Sequence, residues 1–402
     1  MATTATTRPR NATTDGKVGR SNANNTSSSG QEWILDAYSS LEPRSYLQEF
    51  TSQNVRPDGR PFSASRPITV LPSIFARNSH GSAMITLGGR GSEEGKNASS
   101  TTRVVAACTL LVGHPSPSTP DEGDIDVTLT ASPLSGPRFD IAGRENGEIT
   151  SGNYGSAADG NNPQSLPGNL SHVIDRNHHN LDAANTTPSP TDTKEIESWV
   201  RRTLRSSRYV NPRELGIEHG MSAWRVRISI HILNHEGNVW DAALLAACAA
   251  LKDLRLPMVE IGERGVVKMV MKEQQNDGNH SNNGKKVKRR EGRSLTLGPL
   301  PVPLTIAILP NDNNNKTKNS DDETINSNNN NKQPHLLVAD PTHLEEDVSS
   351  GNSVTVVCNA KEEIVEFHKK GSGSRLSVEQ VAAVAVMGFG RAKELERLVL
   401  GR

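Results

Sequence analysis

A chain of 402 residues can bury one large core or two smaller ones, but only 33% of its residues are hydrophobic and 3% aromatic, so the core-forming side chains are diluted. Its 45 basic and 45 acidic residues cancel, which excludes a wholly polybasic or polyacidic chain while leaving room for a basic face on a neutral whole. No apolar run approaches the length of a membrane span, and the three cysteines (Cys108, Cys248, Cys358) stand far apart in apolar runs, as buried free thiols in a reducing compartment would, needing neither a disulfide nor a metal.

In chain order, residues 1–30 are rich in Thr, Asn and Ser and are expected to be a disordered tail, because nothing there offsets the entropy of ordering. The tail carries no apolar signal segment, so the sequons at Asn11 and Asn25 call for no glycan. Similar tracts at 142–192, 273–292 and 311–333 read as long disordered insertions, which a fold carries at little closure cost. Between them, Ile68 to Phe75, Ser82 to Leu87, Arg103 to Val112 and, less cleanly, Asp124 to Thr130 read as strands. Lys194 to Arg205 reads as a helix with Ile196, Trp199, Val200 and Leu204 on one side. Trp224, Val226, Ile228, Ile230 and Ile232 alternate with Arg225, Arg227, Ser229 and His231, a strand with one wet face. A helix from about Asp241 to Leu254 follows, its alanines suited to close packing on a sheet. Further strands are expected at Val302–Leu309, His335–Ala339, Val354–Asn359 and Ile364–His368. A last helix opens on a Ser377/Gln380 capping box, with Gly388 and Gly390 as places where it bends or breaks. The order gives an α+β fold with a suggested internal repeat.

Six motifs bear on chemistry. Arg56-Pro57-Asp58-Gly59-Arg60, with Arg66 soon after, reads as a structural turn, or as one whose Arg60 or Arg66 touches a phosphate or a partner's acid. Arg138 follows a strand and suits a phosphate fork. Arg201, Arg202, Arg205 and Arg208 outnumber the nearby Glu195 and Glu197 and make either a solvated face or an RNA- or partner-facing patch. Gly237-Asn238-Val239-Trp240-Asp241 has the outline of a phosphate cradle at a helix start, but it sets an indole and a carboxylate where a hydroxyl and a cation belong, with Asp241 as the helix cap. Asp340-Pro341-Thr342, followed by Glu345-Glu346-Asp347, is an acidic cluster after a strand, structural or capable of acid–base chemistry, and its His343 has no ligand-spaced partner. Lys285 to Arg290 reads as an import patch or a nonspecific RNA contact.

Taken together, Leu41-Glu42-Pro43, Asn54 to Arg60, Gly81 to Gly88, Pro133-Leu134 with Arg138-Phe139, Asp241 to Leu251, Val338 to Thr342 with Glu345-Glu346, and His368 to Gly373 resemble the RNase PH family, in particular the non-catalytic ring subunits of the eukaryotic RNA exosome. The resemblance implies an RNase PH-like fold (a ribosomal protein S5 domain 2-like core) over 31–402, with duplicated mixed-sheet and helix units. Active members carry a Gly-Thr-Arg or Gly-Ser-Arg loop at the helix start and an aspartate before the strand that here begins near Val302. Neither is present, since Gly298 to Leu304 holds no acid. The resemblance therefore implies a structural subunit without catalytic residues, cofactor or metal. It also implies partners: other RNase PH-like ring subunits, RNA-binding cap subunits, associated exosome nucleases, and RNA in a central channel, with no membrane, in the nucleus, nucleolus and cytoplasm. An active phosphorolytic exoribonuclease and a free-standing interaction module of the same fold are the competing expectations.

Overall fold

The structure is a computed structural model that describes residues 34–35, 37–89, 101–132, 135, 190–262, 267–269, 292–310, 335–372 and 375–400. The expected tail at 1–30, nearly all of the three insertions, Arg138 and the Lys285–Arg290 run lie outside the described residues. The chain divides into Met1–Tyr46 and Leu47–Arg402. In the short unit the Tyr38 and Tyr46 rings meet edge to face, 5.8 Å apart.

The main unit opens on the end of helix α1 (Pro43–Ser52) and holds two principal sheets. The first is built from β1 (Ile68–Pro72), β2 (Gly81–Leu87), β3 (Thr102–Gly113), β4 (Asp124–Ala131), β5 (Gly216–Glu218) and β6 (Ser222–Asn234), in the order β1-β2-β3-β6-β4 with β5 on β6. All pairings are antiparallel except β4 on β6. This parallel pair requires a crossover, which α2 (Pro190–Ser206) supplies between them. The second sheet comes later in the chain. Helix α3 (Val239–Asp253) leaves the first sheet; the short strands β7 (Arg255–Leu256), β8 (Val259–Ile261), β9 (Val267–Met269) and β10 (Arg293–Ser294) follow. The second sheet is then β11 (Val302–Leu309), β12 (Leu336–Ala339), β13 (Ser353–Cys358) and β14 (Ile364–Lys370), antiparallel in the order β12-β11-β13-β14. Helix α4 (His343–Val348) interrupts it, and α5 (Val378–Leu400) closes it. Each sheet thus ends in a long helix that packs back on it, which is the duplicated sheet-and-helix plan of an α+β fold.

The strand alternation explains the layers. In β6, Val226, Ile228, Ile230 and Ile232 are fully buried and Arg225, Arg227 and His231 are exposed. Strand β11 is buried at every position, because α3 and α5 cover it. Helix α3 is buried almost end to end and serves both sheets, touching β2 and β3 on one side and β11 on the other. Its alanines make that possible. The sheet comes so near that a Cβ added at Gly81 would lie 2.5 Å from the Ala250 carbonyl oxygen.

Three expectations are corrected. Strand β1 ends at Pro72 rather than Phe75: Ser73 takes φ 59 and its amide donates to the Ser82 carbonyl, folding the chain into the turn to β2. Helix α2 begins at Pro190, inside the tract read as disordered, where a proline's fixed φ suits a first helical turn. α5 runs unbroken through Gly388 and Gly390. Gly388 is there for close approach, since a Cβ on it would sit 2.8 Å from Cys358 Sγ on β13. The Ser377/Gln380 capping box is present, with Ser377 N donating to Gln380 Oε1 (3.0 Å) and Gln380 N to Ser377 Oγ (3.2 Å).

Candidate functional site

The turn from β6 into α3, the end of β12 and the segment before β1 meet in one buried polar cluster. Asp340 follows β12 with φ 49 and is 3% exposed. Its Oδ2 accepts from Arg66 N (2.6 Å), Arg66 Nε (3.0 Å) and Arg60 Nη1 (3.1 Å). Its Oδ1 accepts from Arg66 Nη2 (2.9 Å) and Asn238 Nδ2 (2.7 Å). Arg66 also donates to the Glu236 and Gly237 carbonyls, so one guanidinium ties the turn to the acid. Beside it Arg56, 1% exposed, forks onto Glu345 through Nε (2.8 Å) and Nη2 (2.6 Å) and also donates to the carbonyls of Ala64, Ala339 and Asp340. Asp58 pairs chiefly with Arg60 (2.7 Å), and Arg56 stands 3.8 Å away. The Arg56 to Arg60 turn, with Gly59 at φ 77, and the Asp340-Pro341-Thr342 segment are therefore two halves of one lock.

The helix start is occupied by the chain's own groups. Asn238, at φ 57, caps α3: its Oδ1 accepts from Asp241 N, and its own amide donates to Glu346 Oε1 (2.7 Å). Asp241 is thus not the cap that its residue type suggested. It lies inside the first turn, buried, where its carboxylate accepts from Thr305 N (3.1 Å), Thr305 Oγ1 (2.7 Å) and Asn238 Nδ2 (2.8 Å). The carboxylate of Glu346 stands where an anion would approach the helix. Gly237, at φ 94, packs so tightly that a Cβ there would fall 2.4 Å from the Pro341 carbonyl oxygen. Val239 is buried in the core, and Trp240 meets Trp199 edge-on (5.0 Å), stacks on His368 (5.3 Å) and lies under Lys370 Nζ (5.8 Å). The indole is a packing residue between α2, α3 and β14.

The charges follow from this geometry. Burial pushes the Asp340 carboxyl up, but the Arg66 and Arg60 charges and their hydrogen bonds outweigh it and hold the group well below the ordinary carboxylate range. Arg66 is raised in turn: burial works against its charge, and Asp340 more than restores it. Asp241 has no cation. Burial pushes it up to about 6, the hydrogen bonds from Thr305 and Asn238 restrain it, and the nearby Asp340 charge adds to the rise. A carboxyl that binds its proton more tightly folded than unfolded costs stability as pH rises. The penalty is absent below about pH 4 and fully in place above about pH 6, on the order of 3 kcal/mol. Asp241→Asn is therefore expected to remove this slope between about pH 4 and 6. The check is a series of urea midpoints across that window for both chains; parallel pH profiles would refute it.

The arginines of α2 lie against acids of the neighbouring strands. Arg201 pairs with Asp126 and donates to the Val127 carbonyl (3.0 Å). Arg205 pairs with Asp124 and donates to the Ile125 carbonyl (3.4 Å). Arg202 forks onto Glu366 of β14. Glu195 and Glu197 alone could not neutralise them, but acids from β4 and β14 do. Glu197, one turn before Arg201, accepts from Leu129 N (3.1 Å). Glu197, Arg201 and Arg205 recur every four residues along α2 and serve Leu129, Val127 and Ile125, whose backbone groups all face outward from β4. The helix caps the free edge of the sheet.

Sequence reasoning found most of the cluster but not its wiring. It missed Thr305, Asn238 as the cap, and the contact of Glu346 with the helix start. The usable signal was that two arginines near a turn need buried acids, and Asp340 and Glu345 are the acids that follow a strand. Among the described residues no group of three or more His, Cys, Asp or Glu is arranged to hold a metal.

Residues 64–257 match the model of the 3′ exoribonuclease family, domain 1, and residues 330–390 that of domain 2. Over 219 residues the chain is 28% identical to "Exosome complex component Rrp42" of Methanocella arvoryzae, a match that takes in 54% of this chain and 62% of that one. A protein of the same name from Pyrococcus horikoshii is 23% identical over 360 residues, 89% of this chain and 93% of the relative. The match to the first of these thus spans less than two thirds of that relative's length. The fold is similar to a chain of a solved structure described as "archaeoglobus fulgidus exosome with RNA bound to the active site", with a TM-score of 0.54 at 22% identity, covering 91% of this chain and 98% of that one. With the two domain models met in order and together taking in more than half of the chain, the protein belongs to the 3′ exoribonuclease family.

Proposed function

We propose that this chain is a structural, non-catalytic subunit of an exosome-type ring and supports 3′-to-5′ RNA processing and degradation without performing the chemistry. The observation that carries the reading is the filled cradle. Phosphate activation needs free amides at the start of α3, a hydroxyl and a guanidinium. Here Glu346 holds the Asn238 amide, Asn238 holds Asp241 N, and the nearest guanidinium, Arg66, is committed to Asp340. A negatively charged and sterically closed turn repels the ion that phosphorolysis consumes. The names of the archaeal relatives support the ring.

In this reading the partners are other RNase PH-like ring subunits, with RNA-binding cap subunits and associated nucleases docked on the ring and RNA passing through its channel. Maturation of ribosomal RNA and turnover of mRNA follow, in the nucleus, nucleolus and cytoplasm. Among eukaryotic ring subunits, ribosomal-RNA-processing protein 43 is the proposed counterpart, on the Asp340-Pro341-Thr342-x-x-Glu345-Glu346 and His368-Lys369-Lys370-Gly371-Ser372-Gly373 segments. Arg138, Arg201, Arg202 and Arg205 are the proposed backbone contacts to RNA. For the last three, RNA must compete with Asp126, Glu366 and Asp124.

The test is affinity purification followed by a phosphorolysis assay on the chain alone and in its complex. Co-purification with RNase PH-like partners and no phosphate-dependent release of nucleoside diphosphate from RNA are expected. Phosphorolysis by the unaltered chain would overturn the non-catalytic reading, and isolation of the chain without ring partners would overturn the ring.

A further inference from the structure

Away from the filled cradle, the turn after β3, the C-terminal end of α2 and the beginning of β6 enclose a cavity of about 980 Å³. That is the size of a small-molecule site rather than a packing gap. Its charged lining is four guanidiniums, Arg205, Arg208, Arg213 and Arg225, against two carboxylates, Glu122 and Asp124. Both carboxylates are spoken for: Asp124 by Arg205, and Glu122 by Arg213 at 3.8 Å. Arg208 and Arg225 make no ion pair and no side-chain hydrogen bond among the described residues, and both are exposed.

The backbone holds Arg208 in place at some cost. It adopts φ 51, a left-handed conformation that a long L side chain rarely takes. Its carbonyl is wedged where a Cβ on Gly298 would come within 2.6 Å, and the next residue, Tyr209, is buried with its hydroxyl donating to the Cys248 carbonyl. Arg225 comes from the opposite wall, on the exposed face of β6. Two permanently charged forks without a counter-ion among the described residues therefore face one open cavity from two sides.

We propose that this cavity grips the backbone phosphates of single-stranded RNA, with Arg208 and Arg225 as the contacting residues. The proposal rests on the reading of the chain as a ring subunit that handles RNA, and it places the contact at a site distinct from the acid-paired Arg201 and Arg202. Among the described residues the one indole on the lining, Trp224, is buried, so the contact is carried by charge to the backbone and is indifferent to sequence. An acidic protein segment is the rival occupant.

The experiment uses the assembled complex and a labelled, unstructured single-stranded RNA, with affinity followed across a salt series. The variant Arg208→Gln, Arg225→Gln is expected to bind at least about tenfold more weakly at low salt. Its log–log salt slope should fall by about 1.4, the value for two lost phosphate contacts on a single strand. Arg208→Lys, Arg225→Lys is expected to keep most of the binding. Unchanged affinity and slope would overturn the proposal, as would loss of a protein neighbour with RNA binding intact. Photo-crosslinking of the unaltered chain gives a readout free of any folding defect: RNA attached to peptides containing Arg208 or Arg225 supports it, and crosslinks confined to other segments sink it. Whether the complex assembles is scored separately by co-purification, so failure of the ring reading is told apart from failure of the cavity.

Discussion

Asp340→Ala is expected to cost about 3–5 kcal/mol of stability, the usual consequence of removing one partner from a buried ion pair. The carboxylate is the acceptor for three donors of Arg66, for Arg60 and for Asn238. Without it, Arg66, only 3% exposed, is a buried guanidinium lacking its counter-ion, and the cap of α3 loses the group that orients Asn238. Asp340→Asn keeps the shape but turns an amide N–H toward a guanidinium, so it is expected to recover only part of the loss. Because Asp340 ionises more readily folded than unfolded, its contribution is present above about pH 4 and disappears as the solution becomes more acidic. Urea denaturation at neutral pH provides the measurement. A loss below about 1 kcal/mol would show that the cluster is hydrated and that the lock described above is not one.

Arg56→Ala is the second large effect, again about 3–5 kcal/mol. Arg56 and Glu345 are each 1% exposed, and Arg56 also holds three carbonyls on the strands and turns around it. Glu345 has a further duty, accepting from Thr342 N (2.8 Å) to start α4. A double replacement, Arg56→Leu with Glu345→Leu, is expected to be less damaging than the sum of the single changes, because it leaves no orphaned charge. The double-mutant cycle isolates the coupling. Additive losses would mean that the two groups stabilise the fold through separate contacts.

What the sequence made legible is what is local or periodic. The alternation of Trp224 to Ile232 sufficed for β6, the Ser377/Gln380 spacing for the start of α5, and the run of alanines for a helix pressed on a sheet. The polar cluster was half legible. Arg56, Arg60, Asp340 and Glu345 stood out as residue types, but their pairing spans 280 residues or more of chain, as in Arg60 with Asp340, and no local rule supplies such a pairing. The same limit hid the partners of α2: Asp126 lies 75 residues from Arg201 and Glu366 lies 164 from Arg202, beyond the reach of any count of neighbouring glutamates. Asn238 escaped as the cap because Asp241 is the same kind of residue three places on, and only the left-handed φ of Asn238 decides between them.

The side-chain ladder of α2 along β4 decides what the edge of the first sheet can accept. A visiting strand alongside Ile125 to Leu129 would first have to strip away Glu197, Arg201 and Arg205, surrendering three ion-assisted contacts to gain neutral ones. That margin of the first sheet is closed to zipper-like growth, which shields the chain from sticking to its own copies.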